Sequence, residues 1–197
     1  MWDQRYSEPG YLFGTDPAVF VQREATQIAP GGRVLCVADG DGRNSVYLAG
    51  LGFDVVAMDP SAPALDKARA LAALRGVTVD HLLASVESWD WTPEAYDAVV
   101  GVFIQFAPPA LRTKIHAGIA STLRPGGKVL LHGYAPRQIA YATGGPRDIT
   151  HLYTPDGLTA DFPGWKVLVS ADYDADLAEG ARHVGRSALV DFVAQKP

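Results

Sequence analysis

Short apolar runs alternate with helical stretches along most of this chain, and few folds accept that pattern. Residues 34–38, 54–58, 77–83, 98–104 and 128–134 read as strands. Residues 44–51, 62–74 and 108–123 read as helices between them, with Gly52 and Gly76 as stops and Pro108 and Pro109 at a start. Strands separated by helices build a largely parallel sheet covered by helices. The run 98–104 is almost wholly apolar, as a central strand buried on both faces must be. Residues 165–170 and 187–194 add two closing strands, and the stretch between them has turn-like composition. The predicted outline is five β-α units and two closing strands. Residues 135–153, with Gly144, Gly145 and Pro146, are predicted to form a long irregular loop, a kind that is often functional.

Composition narrows the class. The 197 residues are 48% hydrophobic and 20% charged, which predicts a single globular domain over 1–197 with an N-terminal arm and helix over 1–30. No stretch approaches the ~18 apolar residues of a membrane span. The opening Trp2-Asp3-Gln4-Arg5-Tyr6 lacks the basic patch and apolar run of a signal peptide. A net charge of -5 without a Lys/Arg run argues against a nucleic-acid partner. Cys36 is the single cysteine, so no internal disulfide and no multi-cysteine metal site is expected. A small buried core residue is the expected role of Cys36. These features suit a cytoplasmic protein with no metal.

The segment Val34-Leu35-Cys36-Val37-Ala38-Asp39-Gly40-Asp41-Gly42-Arg43-Asn44 carries the first functional signal. A strand runs into a two-glycine loop, and a helix follows. Glycines permit a tight turn and a close ligand approach. The helix start offers free N–H groups to a carboxylate. An ordinary glycine turn has the same form, so this signal alone decides little. Asp59 ends the second strand, seventeen positions after Gly42. An acid there accepts hydrogen bonds from ribose hydroxyls in nucleoside-binding sheets, although Asp59-Pro60-Ser61 also suits a helix cap. The dinucleotide pattern G-x-G-x-x-G fails, because Ser45 stands at the third glycine.

Four segments in order resemble the class I S-adenosylmethionine-dependent methyltransferases. They are Gly40-Asp41-Gly42, Asp59, Tyr96-Asp97-Ala98-Val99-Val100 and Leu123-Arg124-Pro125-Gly126-Gly127-Lys128. Within the class, Gly42-Arg43-Asn44-Ser45-Val46-Tyr47-Leu48-Ala49 looks like the tellurite-resistance and thiopurine methyltransferase branch. So do Trp2 to Tyr6, Tyr11-Leu12-Phe13-Gly14, and the ending with Glu179, Gly180, His183 and Gly185. The resemblance implies a Rossmann-like, seven-stranded, mostly parallel sheet with an antiparallel final strand and helices on both faces. It implies S-adenosylmethionine as cofactor, S-adenosylhomocysteine as product, and a small-molecule methyl acceptor.

The resemblance carries a cofactor site over Asp39, Gly40, Asp41, Gly42, Arg43, Asn44, Asp59, Pro60, Ser61, Ser85, Val86, Glu87, Phe103, Ile104, Tyr6 and Tyr11. The chain departs from the family at three of its positions. Cys36 replaces a common strand acid, Ala38 a common glycine, and Ser85 an acid that meets adenine.

Methyl transfer from a sulfonium mainly needs orientation and exclusion of water. Candidate acceptor-side residues therefore come from the carboxyl ends of strands: Gln105, Tyr134, and the trio Arg182, His183 and Arg186, which suggests an anion site. His183 also titrates near neutral pH and suits a base. Trp2, Tyr6, Tyr11 and Phe13 form an aromatic arm that either staples the core or closes as a lid.

The expected activity is methylation of a thiol or a sulfur, selenium or tellurium centre by a monomer or homodimer. The alternatives are an O- or N-methyltransferase of a small metabolite and a non-catalytic S-adenosylmethionine sensor. A nucleotide-dependent oxidoreductase ranks last, because Asp39 and Asp41 would repel a pyrophosphate.

Overall fold

A computed structural model describes residues 2–180 and 182–197. The chain runs α1 (Trp2–Tyr6), α2 (Val19–Glu24), β1 (Arg33–Val37), α3 (Arg43–Gly50), β2 (Asp54–Asp59), α4 (Ala62–Arg75), β3 (Asp80–Leu83) and β4 (Tyr96–Val102). It continues with α5 (Pro109–Thr122), β5 (Leu123–Tyr134), α6 (Gln138–Tyr141), α7 (Pro155–Asp161), β6 (Lys166–Glu179) and β7 (His183–Gln195). The seven strands form one sheet in the order β3-β2-β1-β4-β5-β7-β6. The first five are parallel to their neighbours, and β7 runs antiparallel to both β5 and β6. This is the Rossmann-like sheet expected from the sequence.

Strand alternation divides the core into two layers. Leu35, Val37, Val99, Val129 and Leu131 face a cluster that includes Ile115 and Ile119 of α5, Leu158 of α7 and Phe162 just after it. Val34, Cys36, Ala98, Val100 and Leu130 face the other side, against Phe20 and Val21 of α2 and Leu48 of α3. Central strands must be apolar on both faces to fill both layers, which is why their sequences read as continuous apolar runs. Cys36 sits in this core, 1% exposed.

Several expectations are corrected. Residues 171–179 and 183–186 are strand: β6 and β7 form one long hairpin whose register runs from Lys166↔Gln195 to Glu179↔His183. Polar residues alternate along its outer half because only one face is covered, and that alternation dilutes the apolar signal. No helix links β3 to β4, so the five β-α units are four. Strand β3 begins at Asp80 rather than residue 77, since Gly76 caps α4 in the left-handed region and the chain must first reverse. The predicted turn at Arg124 to Gly127 lies inside β5, as a bulged start with a register shift opposite Tyr96 and Ala98. The loop 135–153 holds α6 and a 3-10 turn at Ile149–His151, and α7 follows it.

Candidate active site

Open α/β sheets bind ligands beyond the carboxyl ends of their strands, where successive connections diverge. In this sheet that point lies between β1 and β4. Both strands end in a non-glycine residue with a left-handed backbone: Ala38 at φ 48° and Phe103 at φ 55°. Such residues cost about 1–3 kcal/mol and persist where a site over-determines them.

Beyond Ala38 lies the glycine loop. Gly42, at φ 89°, opens α3, and a Cβ there would come within 2.6 Å of the Ala68 Cβ on α4. The loop therefore hugs α4, and only glycine fits. Three carboxylates converge around it. Asp59 accepts from the Gly40 and Ser61 amides, both at 2.9 Å. Asp41 accepts from the Leu12 amide at 2.8 Å. Asp39 keeps a buried Oδ2 with no hydrogen-bond partner, although the residue as a whole is partly exposed. Burial, with Asp59 and Asp41 as like-charged neighbours, pushes the Asp39 carboxyl up to about 7 against the opposing Ser45 hydrogen bond. The loop thus holds more negative charge than its surroundings compensate.

The arm closes over this loop. Tyr6 is buried, and its hydroxyl stands where a Cβ of Gly40 would be. Burial and then Asp41, Asp59 and Asp39 raise the Tyr6 phenol, so it stays protonated. Tyr11 donates to the Lys67 carbonyl at 3.2 Å, and Phe13 accepts from Arg43 at 3.4 Å.

A second polar cluster sits beside Phe103. Alternation places Tyr134 of β5, Leu189 of β7 and Tyr173 of β6 on one face, and the same parity carries His183 and Glu179 at the tip of the hairpin. The His183 ring is 4.3 Å from Phe103 and 4.4 Å from Phe13, and it meets Tyr134 edge-on at 5.9 Å. Glu179 pairs with Arg43 at 2.8 Å and approaches His183 Nδ1 at 3.6 Å. The Tyr134 hydroxyl and His183 Nδ1 are buried without hydrogen-bond partners. Burial would raise Glu179, yet His183 and Arg43 hold it down to about 2. Burial lowers His183, and Arg43 and His132 reinforce that against the pull of Glu179.

The predicted residues divide. Asp39, Gly40, Asp41, Gly42, Asp59 and Tyr6 meet at the loop. Phe103, Tyr134, His183 and Arg43 meet at the second cluster, so Arg43 serves that side. Asn44 accepts from the Ala18 amide at 3.0 Å and ties α2 to α3. Ser61 caps α4, and Pro60 beside it is exposed. Ser85 makes a local turn with Ser88, Glu87 is exposed, and Val86 and Ile104 belong to the core. Gln105 spends its amide on the backbone of Tyr134 and His151, so it braces β5 instead of orienting a substrate. The cationic trio does not converge. Arg186 is exposed and faces Asp174 and Asp176, because it points opposite to His183 along β7. Arg182 lines a cleft of about 340 Å³ with Arg5, Glu8, Tyr11, Leu12 and Lys67.

The sequence reading placed Phe13 in the aromatic arm and Glu179 in the family-like ending, and it assigned no role to His132 or Asp191. The last two form a buried pair at 2.5 Å, with Arg23 on the other Asp191 oxygen at 2.5 Å. Period-two spacing along residues 173–191 was the available signal, and it needed the hairpin.

Residues 34–127 match the family model described as a methyltransferase domain. That span holds the glycine loop, Asp59 and the Phe103 turn. Glycine/sarcosine N-methyltransferase of Halorhodospira halochloris is 31% identical over 175 residues, covering 80% of this chain and 60% of that protein. The chain spans between 38% and 60% of the length of these curated relatives. Among solved structures, TehB from Haemophilus influenzae superposes with a TM-score of 0.75 at 18% identity, over 100% of this chain and 66% of that one. A structure described as "Conversion of a Disulfide Bond into a Thioacetal Group during Echinomycin Biosynthesis" gives 0.80 at 19% identity, over 99% and 90%. Both show a shared fold.

The domain and its methyltransferase relatives imply S-adenosylmethionine as methyl donor. The residues present fit such a ligand. Its sulfonium and ammonium are cationic, and the loop offers three crowded carboxylates with the Asp39 Oδ2 unpartnered. Among the described residues no helix is long and apolar enough to cross a membrane, and no His, Cys, Asp and Glu group is placed to hold a metal.

Proposed function

We propose that this protein is an S-adenosylmethionine-dependent methyltransferase of a small molecule, with a thiol or another chalcogen centre as acceptor. The observation that carries the donor half is the carboxylate-rich glycine loop with its unpartnered Asp39 oxygen. When bound, S-adenosylmethionine supplies a methyl group on a positively charged sulfur. The chain's own residues do the rest. Asp59 sits at the ribose end, Asp39 and Asp41 balance positive charge, and the Phe103 turn walls the cofactor. The arm through Phe13 acts as a lid that excludes water, which is where desolvation helps most.

The chalcogen acceptor is supported by the resemblance of the opening and ending segments to the tellurite-resistance and thiopurine branch, and by the fold shared with TehB. Three aromatic rings surround His183 on the acceptor side, which suits a soft, poorly hydrated nucleophile. A second reading, N-methylation of a small amine, is favoured by the similarity to the Halorhodospira enzyme. Calorimetry with S-adenosylhomocysteine tests the donor half, with a low-micromolar or tighter constant expected. A screen with thiols, selenols and small amines then tests the acceptor. Absence of binding by both donor and product would sink the proposal.

A further inference from the structure

The hairpin tip brings together groups whose combination selects among acceptors. Glu179 and His183 are the last register pair of the β6–β7 hairpin. Every element packed against His183 contributes to its surroundings. β6 supplies the Glu179 carboxylate, α3 the Arg43 guanidinium, and β5 the His132 imidazole and the Tyr134 phenol. The arm supplies Phe13, and the end of β4 supplies Phe103. His183 itself is 8% exposed. A buried imidazole is costly to protonate; Arg43 and His132 add to that cost, and Glu179, 3.6 Å away, opposes it.

We propose that His183 is the general base of the acceptor half-site and that Glu179 positions it, so that the acceptor is an uncharged protic group, a thiol foremost, and not an oxyanion. This deepens the methyltransferase reading and rests on it. The geometry assigns the two ring nitrogens. Nδ1 lies 3.6 Å from Glu179 Oε2, slightly beyond hydrogen-bond length, and such contacts tighten when a ligand arrives. Nδ1 then carries the proton, and Nε2 offers its lone pair to the acceptor. An oxyanion would have to share this buried space with the ionised Glu179, which Arg43 only balances. It would also find no use for a neutral base.

The step balances. An acceptor X–H places its lone pair on the methyl carbon. The carbon–sulfur bond breaks with its electrons going to the sulfonium sulfur, which leaves as a neutral thioether. The X–H proton passes to His183 Nε2, and the imidazolium is stabilised by Glu179. Tyr134 is a second buried donor without a partner, and its ring meets the same imidazole edge-on.

The test has two arms. In the cofactor-free protein, imidazole NMR across pH, assigned with His183→Asn, is expected to find His183 neutral at pH 7 as its Nδ1–H tautomer. Glu179→Gln should push its titration lower, because a supporting charge is removed. In the second arm, methyl transfer is measured with benzyl mercaptan and with selenite. His183→Asn should cut kcat for benzyl mercaptan about 100-fold or more, while S-adenosylhomocysteine binds within about twofold of the parent. The kcat profile should rise with pH through the His183 titration, and Glu179→Gln should move that inflection down and cost roughly tenfold. A His183 that is protonated at pH 7 overturns the inference, as does a flat profile. So does selenite turnover that survives His183→Asn, or S-adenosylhomocysteine binding with no turnover of the thiol. Loss of S-adenosylhomocysteine binding in the parent protein defeats the methyltransferase reading instead, and the NMR result stands apart from it.

Discussion

Asp39 shows how a single residue couples the free protein to its ligand. Its carboxyl is pushed up to about 7 by burial and by Asp59 and Asp41. The folded chain therefore binds a proton that the unfolded chain releases near pH 4. Stability from this group is present at low pH and is lost as pH rises through about 7. The full effect is bounded at about 4 kcal/mol, from three units at ~1.4 kcal/mol each. Asp39→Asn should accordingly unfold at a higher temperature than the parent at pH 8, with the gap shrinking to less than half by pH 5 and closing near pH 4. The same variant should bind S-adenosylmethionine at least tenfold more weakly, since it removes the unpartnered oxygen. Thermal melts at the two pH values and calorimetry measure both. A variant that gains stability and keeps its affinity would remove Asp39 from the cofactor site.

At the scale of elements, the motifs that look alike in sequence do different work. Asp97 opens β4 at the end of the sheet away from the glycine loop. It accepts from Arg124 at 2.8 Å on both oxygens and from the Arg33 amide at 2.8 Å. Burial opposes its ionisation, but these donors outweigh it and hold its carboxyl low. Asp97 therefore joins β1, β4 and the start of β5 mechanically. Asp97→Ala should cost about 1–2 kcal/mol in a urea melt and leave S-adenosylhomocysteine affinity within about twofold. A large loss of affinity at unchanged stability would contradict that division. The arm is the opposite case. Its contacts include the Leu12 amide on Asp41 and the Lys67 ammonium on the carbonyls of Glu8 and Gly10 at 2.5 Å. Hydrogen exchange should show the Leu12 amide opening faster than the amides of β1 in the free protein, and slowing on S-adenosylhomocysteine binding. Unchanged exchange on binding would mean that the arm is a staple and not a lid.

For the molecule as a whole, ligand binding and folding are linked. A ligand that binds only the folded chain at 100 times its Kd adds about 2.7 kcal/mol, which for a chain of this size raises Tm by roughly 5–10 °C. S-adenosylhomocysteine should produce that rise, and adenosine alone should produce much less, because it lacks the ammonium that the carboxylates attract. An equal rise with adenosine would place the binding energy in the ribose and base contacts near Asp59 rather than in the Asp39–Asp41 loop.

The local sequence determined the elements whose apolar pattern comes from burial on both faces. β1, β2 and β4 and the helices after them were legible because each strand fills two core layers and each glycine stop has a backbone reason. The loop Asp39 to Gly42 and Asp59 were legible for the same reason: their spacing follows from one strand-turn-helix-strand unit. The acceptor side was not. Glu179 and His183 are four positions apart, but what joins them to Arg43, Phe13, Phe103 and Tyr134 is a hairpin register and a closed arm. The same register sends Arg186 to solvent and His183 inward, a choice that a count of cationic residues cannot make. Pairing across strands is a long-range property set by which face each side chain takes once the sheet is assembled, and a one-residue slip would reverse it. Tertiary structure alone decided which of the charged residues at the end of the chain belong to the site.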